Sequence, residues 1–153
     1  MPKHSFRFEG KGLSIIQPWA SAIAFAGKDI ENRSWRTHYR GPIAIHASAK
    51  LYRDELDAGR RVVRGGKRLP LIDWINKGRR LYGLDSEEEP ECSQIIAVAM
   101  LVDCVEKSSS PWWYRGAKGW VISGVVPIIP IPWKGRLSLW DCKFKYSPLT
   151  KTH

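Results

Sequence analysis

The sequence predicts an α+β chain: a small β-barrel of five to six strands, with an N-terminal helix and an inserted basic helical pair. Three observations lead there. Short apolar runs bounded by Gly, Pro and polar residues recur at 13–16, 43–47, 94–105, 119–126 and 133–144. That length and punctuation belong to strands. Apolar residues at helical spacing are found at 18–26 and again within 52–82. Few helices beside several short strands fit a small barrel.

In chain order, residues 1–10 read as a loose or edge segment, and Leu13 to Ile16 as a short buried strand. Pro18 suits the first position of a helix, where its missing N–H is harmless. Trp19, Ile23 and Ala26 form that helix's apolar stripe, and Gly27 stops it. Lys28 to Ser34 reads as the next strand. Strict alternation there sets Lys28 and Glu31 on opposite faces, so a bulge or a strand-end position is needed for them to meet. Gly41-Pro42 turns the chain into Ile43–Ala47, which delivers His46 and Ser48 at its end.

From Tyr52 the pattern changes. Leu56 and Val63 share one helical face, with Arg53, Asp57, Arg60 and Arg64 on another, and Gly65-Gly66 breaks it. Leu71, Trp74, Ile75, Gly78 and Tyr82 form a second stripe. Residues 50–80 hold ten Lys/Arg against four acids, so +6 of the net charge resides there. The acidic run 85–91 follows, either lying against these helices or binding nothing. Gln94 to Val105 is the longest strand candidate. Gly119–Val126 is another, and Pro127, Pro130 and Pro132 after it imply an edge or a crossover. Trp133 to Phe144 supplies the last pairing. One domain over 1–153 is expected, with the insertion at about 51–83.

A net charge of +10 in 153 residues favours an anionic partner, nucleic acid before membrane. The alternative is a solvated basic surface. Three scattered cysteines without Cys-x-x-Cys fit a reducing compartment, and a cytoplasmic location is expected. Cys104 and Cys142 read as core residues. The four histidines lack metal-ligand spacing, so neither a metal nor another cofactor is expected. No signal peptide is apparent, and the longest apolar run, Ile95 to Val102, is too short to span a bilayer.

Four motifs carry a resemblance: Ser14-Ile15-x-Gln17-Pro18-Trp19-Ala20, Gly27-Lys28-x-Ile30-Glu31-x-Arg33-Ser34-Trp35, Arg40-Gly41-x-Ile43-x-Ile45 and Ala47-x-Ala49-Lys50. With Pro132-x-Lys134-Gly135 and Leu139-Trp140 as a closing strand, the chain resembles a free-standing ASCH domain, the activating-signal-cointegrator homology module of the PUA-like superfamily. The resemblance implies a PUA-like barrel and a cleft containing Lys28 and Glu31. It also implies one of three functions: binding of RNA or single-stranded nucleic acid, with metal-independent ribonuclease activity as a further step; an amidohydrolase acting on acetylated cytidine; or a non-catalytic adaptor for a modified nucleotide or a protein. The amidohydrolase motif has a Thr nucleophile where this chain has Glu31, which sets that function below the first.

Lys28, Glu31 and Lys50 are therefore the candidate catalytic residues, with Lys50 as the cation, Glu31, His46 or Tyr52 as the proton-handling group and Ser123 as a phosphate-positioning one. A base near a 2′-hydroxyl and a cation on the phosphate suffice for RNA cleavage. A structural ion-pair network is the competing account of Lys28 and Glu31, and a buried histidine satisfied by backbone that of His46. The candidate nucleic-acid contacts are Arg33, Trp35, Arg40, Ser48, Arg53, Arg60, Arg64, Trp112, Trp113, Tyr114 and Arg115. Adjacent aromatics beside cations suit stacking of single-stranded bases. Trp112–Tyr114 equally fits a cap over the end of the barrel, although three adjacent aromatics cannot all enter one core.

Overall fold

The computed structural model describes residues 5–52, 61–64, 66–88 and 90–152. It is rich in strands: β1 (Phe6–Gln17), β2 (Ile30–Arg33), β3 (Gly41–Leu51), β4 (Arg61–Arg64), β5 (Lys67–Pro70), β6 (Gln94–Val105), β7 (Lys118–Pro132) and β8 (Leu139–Tyr146). The helices are α1 (Trp19–Phe25) and α2 (Leu71–Arg80).

Six strands form one sheet in the order β2-β7-β6-β3-β1-β8. All six of the expected strands are present in it and the α+β, PUA-like architecture holds, but the sheet is not closed by a continuous ladder. Between β7 and the segment after β8 the link is a single bridge, Ile128 with Pro148, flanked by two backbone hydrogen bonds. The prolines explain this. β7 runs through Pro127, Pro130 and Pro132, paired on one side with β6, while β2 covers only Lys118–Val121 on the other. A strand with three missing N–H donors cannot serve two full neighbours.

Two sequence expectations change. Residues 6–10 are not loose: they extend β1, pairing antiparallel with β8 from Phe6↔Tyr146 onward, and Phe8 stacks on Phe144 at 4.8 Å. The predicted first helix of the insertion is not a helix at its C-terminal end. Arg61–Arg64 is a strand that pairs with Lys67–Pro70 across a turn containing Gly66, whose φ is +78°. Two adjacent valines before a Gly-Gly pair are a hairpin signal, and the positive φ favours glycine. The segment expected as a helical pair therefore presents a hairpin and one helix among the described residues; residues 53–60 lie outside them.

The core has two main faces. Leu13, Ile15, Ile43, Ile45, Leu101 and Trp120 pack with Ala20 and Ile23 of α1, while Phe8, Ala44, Ile95, Val98, Trp140 and Cys142 pack on the other side. Cys104 is buried as expected. A third cluster joins Ala22 of α1 and Ala26, which follows its last turn, to Leu71, Trp74 and Ile75 of α2. The two helices approach so closely that a Cβ on Gly78 would lie 1.8 Å from the Phe25 carbonyl oxygen. The acidic run does lie against α2: Glu87 pairs with Arg79 at 3.1 Å, and the Asn76 side chain donates to the Glu87 carbonyl and accepts its N–H. Burial raises the Glu87 pKa, and Arg79 opposes that rise. Part of the basic segment is thus neutralised by its own chain.

Candidate functional site

The site begins where α1 ends. Gly27 adopts φ +74°, and the Lys28 N–H turns back to the Ala22 carbonyl at 3.1 Å. Lys28 therefore precedes β2 rather than belonging to it, and strand alternation does not govern its direction. Its side chain, 2% exposed, meets Glu31 Oε1 at 3.2 Å, donates to the Ile30 carbonyl, and lies 5.9 Å from the Trp19 ring centroid. Arg33 completes the trio: Nε and Nη2 reach Glu31 Oε2 at 3.1 and 3.0 Å. Arg33 Nη2 also donates to the Ser14 carbonyl at 3.0 Å, tying β2 to β1. Burial pulls the Lys28 pKa down, and Glu31 opposes that pull. One carboxylate thus compensates two cations at the floor of a cleft of about 410 Å³.

Around this floor, Ser14 and Ile16 come from β1, and Ser48 and Tyr52 from the end of β3. Trp112 and Tyr114 face them, held by Asn32, whose amide donates to the Trp112 carbonyl at 2.8 Å and accepts the Tyr114 N–H at 3.4 Å. The three adjacent aromatics divide as sterics require. Trp112 is buried against the α1–α2 cluster while still lining the cleft. Trp113 packs on the same cluster and donates from Nε1 to the Ala117 carbonyl. Tyr114, 58% exposed, stands at the rim.

The other candidates are distributed unevenly. Lys50 is exposed, its ammonium 5.8 Å from the Tyr52 ring centroid, and it does not line the cleft. Ser123 is exposed on β7 opposite Met100, also away from the cleft. Trp35 lies edge-on to Trp120 at 4.6 Å and its carbonyl accepts the Trp120 indole N–H. Arg40 donates to the Thr37 and Tyr39 carbonyls, and Arg115 is solvent-exposed. Arg53, Arg60 and the Arg64 side chain lie outside the described residues. Among the described residues no group of His, Cys, Asp and Glu could hold a metal ion.

Sequence reasoning misses Ser14, Asn32 and the loop residues Arg136, Leu137 and Ser138, all of which line the cleft. Lys134-Gly135 reads in sequence as part of a closing strand, but β8 starts only at Leu139, after Ser138 at φ +60°. A leucine between Arg and Ser in a polar loop is the available signal; Leu137 is 95% exposed. A second cavity of about 690 Å³ lies beneath this loop and shares Ser14, Ser48, Arg136 and Leu137 with the first. His46 lines it, receiving the Ser14 hydroxyl contact at Nδ1 (2.9 Å) and meeting the Trp133 carbonyl from Nε2 at 2.6 Å. Burial lowers the His46 pKa.

The ASCH-domain family model matches residues 13–120, which takes in β1 from Leu13, the Lys28–Arg33 motif, β3 and the aromatic loop. The chain belongs to the ASCH-domain family. That family is generally linked to RNA binding. A curated relative, human activating signal cointegrator 1, is 44% identical over 57 residues, covering 35% of this chain and 10% of that protein. The similarity therefore concerns a small part of the relative. No helix among the described residues of this ASCH protein is long and apolar enough to cross a membrane.

Proposed function

We propose that this protein binds single-stranded nucleic acid, RNA foremost, by seating a base in the cleft over Lys28, Glu31 and Arg33. The observation that carries this reading is the mixed character of the cleft. Its floor cations are largely spent on Glu31, Ile30 and Ser14, whereas its rim offers the exposed ring of Tyr114 and the cation Arg136. A floor with one net positive charge suits the polar edge of a base, and an aromatic rim suits its face. Phosphates would then lie outside, against the basic surface of a +10 chain.

Cleavage is the finer form of this reading. The 2′-oxygen would attack phosphorus as Glu31 takes its proton, the P–O5′ bond would break, the departing 5′-oxygen would be protonated by water, and Lys50, beside Tyr52 and outside the cleft, would neutralise the phosphate. Where RNA is cut, Glu31→Gln and Lys50→Ala should each slow it by about 10²-fold or more.

The test is incubation of the purified protein with labelled single-stranded RNA, single-stranded DNA and duplex, with and without chelator, across a salt series. Salt-sensitive binding that favours single strands supports the reading. Binding that is flat with salt, or that favours duplex, refutes it. The chelator arm separates metal-free from metal-dependent cutting.

A further inference from the structure

Ser14 and His46 are register partners in the parallel β1–β3 pair, and their side chains meet at the wall shared by the two cavities. The direction of that hydrogen bond follows from the other ring nitrogen. A backbone carbonyl only accepts, so His46 Nε2, 2.6 Å from the Trp133 oxygen, carries the ring proton. His46 is 1% exposed, and its polar contacts among the described residues are a hydroxyl and a carbonyl, which leave a positive charge on the ring uncompensated. The neutral ring then has a bare Nδ1, and the Ser14 hydroxyl must donate to it. Ser14 Oγ is left with lone pairs alone.

Those lone pairs are kept clear by Gly135. A Cβ there would lie 2.7 Å from Ser14 Oγ and 2.8 Å from His46 Cε1. On its other side Ser14 borders the cleft with Glu31 and Asn32. Asn32 has both ends of its amide engaged by the aromatic loop. Ser14 Oγ is thus an acceptor of fixed polarity at the edge of the proposed base seat.

We propose that Ser14, locked as an acceptor by His46, makes the cleft select bases that carry an exocyclic amino group. An amino N–H pairs with Ser14 Oγ, whereas a base lacking it leaves that oxygen desolvated and unpaired. His46 acts through Ser14 and is a positioning residue. The inference rests on the nucleic-acid reading above and adds a ligand preference to it.

The test compares two short single-stranded oligonucleotides that differ by one substituent. One is an oligoadenylate, and the other has purine riboside, which replaces the amino group by hydrogen without adding bulk. The intact protein should bind the adenine strand tighter by about tenfold, the scale of one unpaired buried acceptor. Ser14→Ala should bring the two affinities together, mainly by weakening the adenine strand. Gly135→Ala, which leaves both side chains present but crowds Ser14 Oγ, should shrink the preference in the same direction. It provides the measurement if Ser14→Ala folds poorly. Equal binding of both strands by the intact protein overturns this inference and leaves the nucleic-acid reading standing. A preference that survives Ser14→Ala in a folded variant also overturns it. Failure to bind either strand removes the nucleic-acid reading and this inference with it.

Discussion

Glu31→Gln tests whether one carboxylate holds the floor of the cleft together. The substitution keeps shape and removes charge. Lys28 would then keep its ammonium at 2% exposure with the Ile30 carbonyl and the Trp19 ring beside it, and Arg33 would face an uncharged amide. At 3.2 Å, the gross Lys28–Glu31 attraction is on the order of 5 kcal/mol at an effective dielectric of about 20. Relaxation and the remaining amide contact recover part of it, and removing one partner of a buried pair costs about 3 kcal/mol net. For a chain of this size that lowers the melting temperature by roughly 6–12 °C. The pH dependence adds a second signature. Without Glu31, the folded-state pKa of Lys28 falls further below that of an unfolded lysine. Between the two values the unfolded chain binds the extra proton, so stability rises with pH. The gap between variant and parent, read from denaturant melts, should therefore narrow as pH rises toward the unfolded lysine value of about 10.4. Lys28→Met in the Glu31→Gln background should restore much of the loss, since Arg33 is partly hydrated. A Glu31→Gln protein within about 0.5 kcal/mol of the parent, the usual surface-substitution range, or a gap that ignores pH, would refute the account.

The remaining predictions concern the rim, the buried histidine and the helix contact. Tyr114→Ala should weaken single-strand binding by about 1–3 kcal/mol in a direct titration and leave the melting temperature nearly unchanged, whereas Trp113→Ala should chiefly lower the melting temperature. His46 has a folded pKa below its ordinary value, so its contribution to stability is present above about pH 6.5 and is lost as pH falls through the folded value. The gap between the parent and His46→Gln should accordingly narrow on acidification, by at most about 1.4 kcal/mol per pH unit. Gly78→Ala forces a methyl into the Phe25 carbonyl and should cost about 3 kcal/mol in urea unfolding by separating α1 from α2.

Local patterns are legible in the sequence. The apolar runs form strands, Gly27 ends α1, and the Lys28–Arg33 motif lines a cleft. The difficulty over strand alternation dissolves because Lys28 leaves the helix before β2 starts. Long-range placement is not legible. Ser14 meets His46 through a parallel pairing that joins positions 32 residues apart, and no local signal encodes that register. The hairpin at 61–70 is masked because Leu56 and Val63 happen to fall at helical spacing, while Gly66 and the adjacent valines carry the turn and the strand. The loop at 134–138 looks like strand because its neighbours are apolar and aromatic; only its backbone turn at Ser138 sets it over the cleft.

The position of β8 separates the family signature from the unit that must be made. The matched stretch stops at residue 120, yet β1 lies between β3 and β8, and β8 spans Leu139–Tyr146. A fragment cut to the matched boundaries would lose Phe6–Gly12 of β1 together with all of β8, the strand that pairs with them, and would strip Phe8, Trp140 and Cys142 from Ala44, Ile95 and Val98, leaving an apolar sheet face bare. It would lose most of β7, and with it the partners of Gln94–Asp103, nearly all of β6. It would also lack Arg136, Leu137 and Ser138, and so a wall of the cleft itself. A piece of chain trimmed to the recognisable motif would therefore aggregate before it could be assayed, and a silent result from it would describe the truncation rather than the protein.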